Sequence, residues 1–189
     1  MALRTDRGAA IRLVFLAAAL VAAPAAAAGD KAFMEGLFLD APETALRLCR
    51  NMPLIGLQCV GIDKVGKRDG TLTYTHHLAG PVTRSLRPGG GDAPPADYRG
   101  EAGDDVVAFA YQPPARAVKR YRQFLRVTLA RERVYRRDRD GRLRLSSERS
   151  IDWFQPLSAE QSMRDLASAA RRAGQPAFAD AILALGLDE

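Results

Sequence analysis

Between Arg116 and Arg149 the chain carries thirteen basic residues against four acidic ones, Glu132, Asp138, Asp140 and Glu148. Clustered guanidinium groups suit phosphate and carboxylate, because the planar fork donates paired hydrogen bonds to two oxygens at once. The segment is +9, whereas the rest of residues 29–189 is −5. A plainer explanation competes with binding: a solvated hairpin whose positive face offsets the chain's own negative parts. Only Lys31, Lys64, Lys67 and Lys119 are lysines among 28 basic residues, and genome base composition accounts for that bias without any ligand.

A turn places three of these arginines. Asp138-Arg139-Asp140-Gly141 separates two runs of alternating apolar residues. A type I turn with Gly141 in a bulge sets Tyr135 opposite Leu145 and Leu129 opposite Ile151. Leu125, Val127, Leu129, Tyr135, Leu143, Leu145 and Ile151 then share one face, and a slip of one residue would turn that set into water. In this register Arg131 faces Arg149 on the apolar side, with Arg133 one step further. Like charges directly opposite cost stability, and an unpaired buried guanidinium is expensive. The side chains must therefore reach solvent at the sheet edge, pair with an acid such as Asp165 or Asp180, or line a pocket for an anion. Arg131, Arg133 and Arg149 are the candidate anion-binding residues.

Cys49 and Cys59 are the only cysteines. In an exported chain an even count reads as a disulfide, here closing a short loop and worth about 2–3 kcal/mol. Free buried thiols and a redox or metal pair are the alternatives, but the spacing is not C-x-x-C and no zinc-type partners lie at motif spacing. His76 and His77 are the only histidines. Neighbours in a strand point to opposite faces, so the two cannot chelate one metal. His76 joins an apolar face, and an acid–base role would need a carboxylate within hydrogen-bond reach; Asp63, on the facing strand, falls opposite Thr75. Ser146-Ser147 lacks a nucleophile elbow. No catalytic residue, metal site or cofactor is assigned.

The amino-terminal segment gives an address. Arg4, Arg7 and Arg12 precede an apolar run from Leu13 to Ala23, Pro24 ends it, and Ala26-Ala27-Ala28 offers a small-residue cleavage site before Gly29. This is the layout of a signal peptide over residues 1–28, and the run is short of the roughly 20 residues that span a bilayer. Cleavage near Ala28-Gly29 would leave one soluble domain, 29–189, periplasmic or secreted, with no transmembrane segment.

The remaining pattern predicts an α+β fold. Phe33, Met34, Leu37 and Phe38 recur at helical spacing in a short apolar stretch. Asp40-Ala41-Pro42-Glu43 reads as the start of an N-terminal helix that carries Leu46 and Cys49 inward and ends before Pro53. Two hairpins follow, turning at Lys67-Arg68-Asp69-Gly70 and at Asp138–Gly141, and the first places Val60, Ile62, Leu72, Tyr74, His76 and Leu78 on one face. With the short run Val106–Tyr111 they make an antiparallel sheet of about five strands. Residues 80–104, crowded with Gly and Pro, read as a flexible loop. Ser158 with Gln161 resembles a capping box, and the stripes Met163-Leu166-Ala167-Ala170 and Phe178-Ala181-Ile182-Leu185 form a C-terminal helical hairpin over the sheet. One ring of Trp153-Phe154 is expected to anchor those helices; an exposed Trp153 would mark a partner surface.

These features point to a small exported, non-catalytic protein whose Arg-rich hairpin meets an anionic lipid, an acidic polysaccharide or an acidic protein surface. Nucleic acid is excluded by compartment and by the lack of interleaved aromatics. The alternatives are a small hydrolase built on His76 with a nearby carboxylate, and a structural or assembly factor without a small-molecule ligand.

Overall fold

Period-two alternation governs far more of the chain than the sequence reading allows. The computed structural model describes residues 22–78, 80–89 and 95–185. Among them are nine strands: β1 (Leu46–Met52), β2 (Gly56–Arg68), β3 (Thr71–His77), β4 (Pro81–Pro88), β5 (Tyr98–Ala102), β6 (Asp105–Tyr111), β7 (Val118–Tyr121), β8 (Phe124–Arg137) and β9 (Leu143–Pro156). Each pairs antiparallel with its neighbours, β6 passes to β8, and β9 returns to β1, so eight strands close into an up-and-down barrel. β7 prolongs β6 along the same edge of β8. The Gln112 amide donates to Leu129 O and the Thr128 amide to Ala117 O, on either side of a short 3-10 excursion. Closure removes the edges that an open sheet exposes.

The expected five-stranded α+β sheet is therefore corrected to a closed eight-strand barrel, and the extra strands come from two misread segments. Residues 46–52 form β1, not a helix. Leu46 and Leu48 point into the barrel opposite Trp153 and Ile151, a period of two that the Asp40–Glu43 start signal conceals. The helix instead ends at Asp40, and only Glu43–Ala45 make a 3-10 turn. Within residues 80–104 lie β4 and β5, with residues 90–94 outside the described set. Here the glycines serve close approach. A Cβ on Gly100 would sit 2.7 Å from both Leu86 Cδ2 and the Ser85 carbonyl oxygen, so only glycine fits where β5 crosses β4.

Three helices complete the chain: α1 (Ala22–Asp40), α2 (Glu160–Arg172) and α3 (Pro176–Leu183). α1 closes one end of the barrel. Its Phe38 ring packs on Tyr74 and Phe109 of the inner wall, and Glu35 bonds Lys67 and the Tyr98 hydroxyl, both at 2.6 Å. Burial alone would raise the Glu35 carboxyl, but the hydrogen bonds from Lys67 and Tyr98 outweigh it and hold it below its usual value. α2 and α3 pack beside this end through Met163, Ala167, Ala170, Phe178 and Ile182, all buried, and Phe33 of α1 meets Phe178 edge to face. No capping box forms: Ala159 is the N-cap, and Gln161 bonds Asp165 instead. Most of the segment 1–28, expected to be a signal peptide, lies outside the described residues; from Ala22 onward it belongs to α1.

Candidate functional site

The β8–β9 hairpin decides where the arginines go, and it does so through two irregularities. The expected pairing holds at both ends, with Tyr135 opposite Leu145 and Val127 opposite Trp153. Between them, one bulge at Thr128/Ala130 and another at Val134/Tyr135 displace the register by a residue. Ala130 rather than Leu129 faces Ile151. Arg131 faces Ser150, Glu132 faces Arg149, and Arg133 faces Glu148. A one-residue displacement exchanges the two faces. Arg131 and Arg133 therefore turn out, Arg149 keeps the apolar side on which the sequence places it and points into the barrel, and the expected Arg131–Arg149 opposition does not occur.

Inside, Glu132 is fully buried and accepts three donors. The Tyr74 hydroxyl lies 2.6 Å from Oε2, Arg84 Nε 3.3 Å from Oε2, and Arg149 Nη1 3.3 Å from Oε1. Both guanidiniums are mostly buried. Burial, reinforced by the negative charge of Glu132, pushes the Tyr74 phenol well above its ordinary value. His76 shares this interior wall, opposite Ile62 and Val82. It is buried, and neither ring nitrogen has a partner. Burial lowers its pKa, so the neutral ring is favoured. Among the described residues no carboxylate lies within hydrogen-bond distance of it, the contact that an acid–base role would need. Asp63 instead meets the exposed His77, at 3.1 Å.

Outside, Glu148 receives Arg131 Nη1 and Arg133 Nε, each at 2.6 Å. The hydrogen bond from Arg133 is the main reason that its carboxyl sits below the usual range, with burial opposing it and Arg131 adding to it. The acids that pair with the candidate arginines are thus Glu132 and Glu148, not Asp165 or Asp180; Asp180 bonds Arg171 at 2.8 Å.

An open groove of about 830 Å³ crosses this outer face. Its floor is Cys49, Ser150 and Thr128, which neighbour one another across β1, β9 and β8. One wall is the β1–β2 turn region with Asn51, Ile55, Leu57 and Gln58; the other is Lys119, Tyr121 and Arg122 at the end of β7. Arg126, Arg131, Glu148 and Arg149 complete it. Lys119, Arg122, Arg126 and Arg131 thus line the groove with a single carboxylate, while Arg149 borders it with its guanidinium bonded inward to Glu132. Arg126 is tied to the buried Asp152 at 2.7 Å, and Arg122 lies over the Tyr121 ring. The structure brings Arg131 and Arg149 to the groove but leaves Arg133 off its lining. Cys49 and Cys59 are joined by a disulfide across β1 and β2, beside the floor.

Several contributors escape the sequence reading. Arg84 and Tyr74 project from strands onto the inner wall, and Arg84 falls in the segment read as loop. Lys119, Arg122 and Arg126 belong to the basic run, but nothing in their spacing separates them from its other members. Trp153 is half-buried against the core, while Phe154 packs edge to face with Tyr121 and Phe124 near the groove wall. Among the described residues no cluster of His, Cys, Asp or Glu is arranged to hold a metal, and no helix is long and apolar enough to cross a membrane. No protein-family model, curated protein or solved structure matches this chain.

Proposed function

We propose that this chain is an exported, non-catalytic binding protein that holds an anionic partner in the groove across β7, β8, β9, β1 and β2. The observation that carries the reading is the composition of the lining: Lys119, Arg122, Arg126 and Arg131 against Glu148. Guanidinium and ammonium groups gathered in a concavity attract oxyanions more strongly than the same groups on a convex face. Export rests on the leader pattern of residues 1–28 and on the Cys49–Cys59 bond, which persists in oxidising compartments.

The test is retention of the disulfide-bonded chain on a sulfonate resin across a salt gradient. A basic protein binds such a resin through net charge alone, so equal charge must be removed elsewhere as a control. Lys119→Ala/Arg122→Ala should elute at distinctly lower salt than Arg87→Ala/Arg172→Ala, since clustered charges release more counterions than scattered ones. Equal elution of the two pairs would end the groove reading. Arg149 is unsuitable for this test, because its removal also unbalances the barrel interior.

A further inference from the structure

The turn between β1 and β2 breaks two rules of surface chemistry at one residue. Leu54 is fully exposed, at 107%, and Ile55 follows at 64%. Leu54 also adopts φ +67, the left-handed region that glycine and asparagine enter at less cost. Neither packing nor backbone geometry calls for leucine there. From Met52 to Leu57 no side chain is polar, so the whole tip is apolar. Strain and exposure retained together argue for a role outside the fold.

Two neighbours make the tip more than a loose loop. The Cys49–Cys59 bond ties the hairpin just behind it. Ile55 and Leu57 line the same groove as Lys119, Arg122, Arg126 and Arg131. An apolar projection flanked by cations is the arrangement of a bilayer-surface anchor, in which aliphatic groups enter the acyl boundary while lysine and arginine hold anionic headgroups. A protein partner fits less well. Stable protein interfaces bury roughly 800 Å² on each side and centre on aromatic and arginine anchors, whereas this tip offers two adjacent aliphatic side chains. The barrel wall does not itself enter the membrane, since its outer face carries Arg126, Arg131, Arg133 and Glu148 where a lipid-facing barrel is apolar.

We propose that Leu54 and Ile55 insert into the surface of an anionic bilayer whose headgroup phosphates occupy the basic groove. The inference rests on the groove reading and goes beyond it by naming a lipid surface as the partner.

The experiment is co-sedimentation of the full disulfide-bonded chain with vesicles of mixed phosphatidylglycerol and phosphatidylcholine, and with phosphatidylcholine alone. The mixed vesicles should bind it and the zwitterionic ones should bind it far less. Leu54→Ser/Ile55→Ser should lose about tenfold in affinity for the mixed vesicles, from lost apolar burial, while eluting from the sulfonate resin like the parent. Both substitutions lie on exposed side chains, and an unchanged circular dichroism spectrum with no free thiol would confirm the fold. In a second readout, Leu54→Trp should shift its emission to the blue on adding mixed vesicles. Undiminished vesicle binding by the serine variant, or a tryptophan that stays red while the protein sediments, would overturn insertion. So would resin retention through the groove without any vesicle binding, and this result would leave the groove reading standing. Loss of the groove's own effect on the resin would remove both.

Discussion

Two carboxylates of the same hairpin share one arrangement, each held between two arginines. Glu132 lies between Arg84 and Arg149 inside the barrel; Glu148 lies between Arg131 and Arg133 on its outside. The inner carboxylate has no exposed surface and the outer one keeps a third of its own. Yet the outer bonds are the shorter, 2.6 Å against 3.3 Å. Bond length therefore does not rank these clusters; access to water does. Outside, solvent and salt can replace a lost partner, and such pairs contribute little. Inside, a lost partner leaves a charge that nothing else compensates.

The largest expected effect separates the two directly. Glu132→Ala leaves Arg84 and Arg149 facing each other without their counter-charge and should destabilise the fold by about 3–5 kcal/mol. Glu148→Ala should cost about 1 kcal/mol or less. Urea unfolding of both variants checks this, and equal losses would break the comparison.

Proton titration sharpens it next. His76 has its pKa lowered in the folded chain, so the unfolded chain takes up the proton first. Stability should be complete above the ordinary histidine value of 6.5 and begin to fall as pH drops below it. The carboxylates act later: Glu35 and Glu148 are both held below 4.5, so their contribution is present above that pH and is lost beneath it. Denaturation midpoints measured from pH 7 to pH 3 should show two stages, and His76→Leu should lack the first.

At alkaline pH the sign reverses. Tyr74, Tyr98 and Tyr111 all have phenols raised by burial. The unfolded chain ionises first, near pH 10, so stability declines as pH climbs above that value. Ultraviolet titration should show Tyr74 ionising only as the chain unfolds. The smallest effect concerns salt. Between low and physiological ionic strength the cost of Glu148→Ala should shrink toward zero, while that of Glu132→Ala should hardly change, because buried pairs are poorly screened.

How much of this could be read from the chain depends on the range of the interactions. The Cys49–Cys59 bond was legible, because two cysteines in a short span leave one pairing. The turn at Asp138–Gly141 and the Tyr135–Leu145 pairing were legible too, since turn chemistry is local. The outward turn of Arg131 and Arg133 was not. It depends on a bulge at Thr128/Ala130, and no residue type at that point announces it. The glycine- and proline-rich stretch misled for the opposite reason. Its punctuation suggested a loop, whereas Gly100 marks the place where one strand presses on another. Barrel closure is the least local of all, because it requires β1 to find β9 roughly a hundred residues away.

That last pairing sets an order of events. Strands β1 through β6 can zip onto one another as they appear, each beside its predecessor. The seam cannot shut until Ser150–Trp153 have been made, so a nascent or truncated chain leaves β1 with a bare row of amides and carbonyls open to any passing strand. Cys49, already bound to Cys59 beside that seam, would keep β1 married to β2 during the wait, so that the ring has one gap to close instead of two.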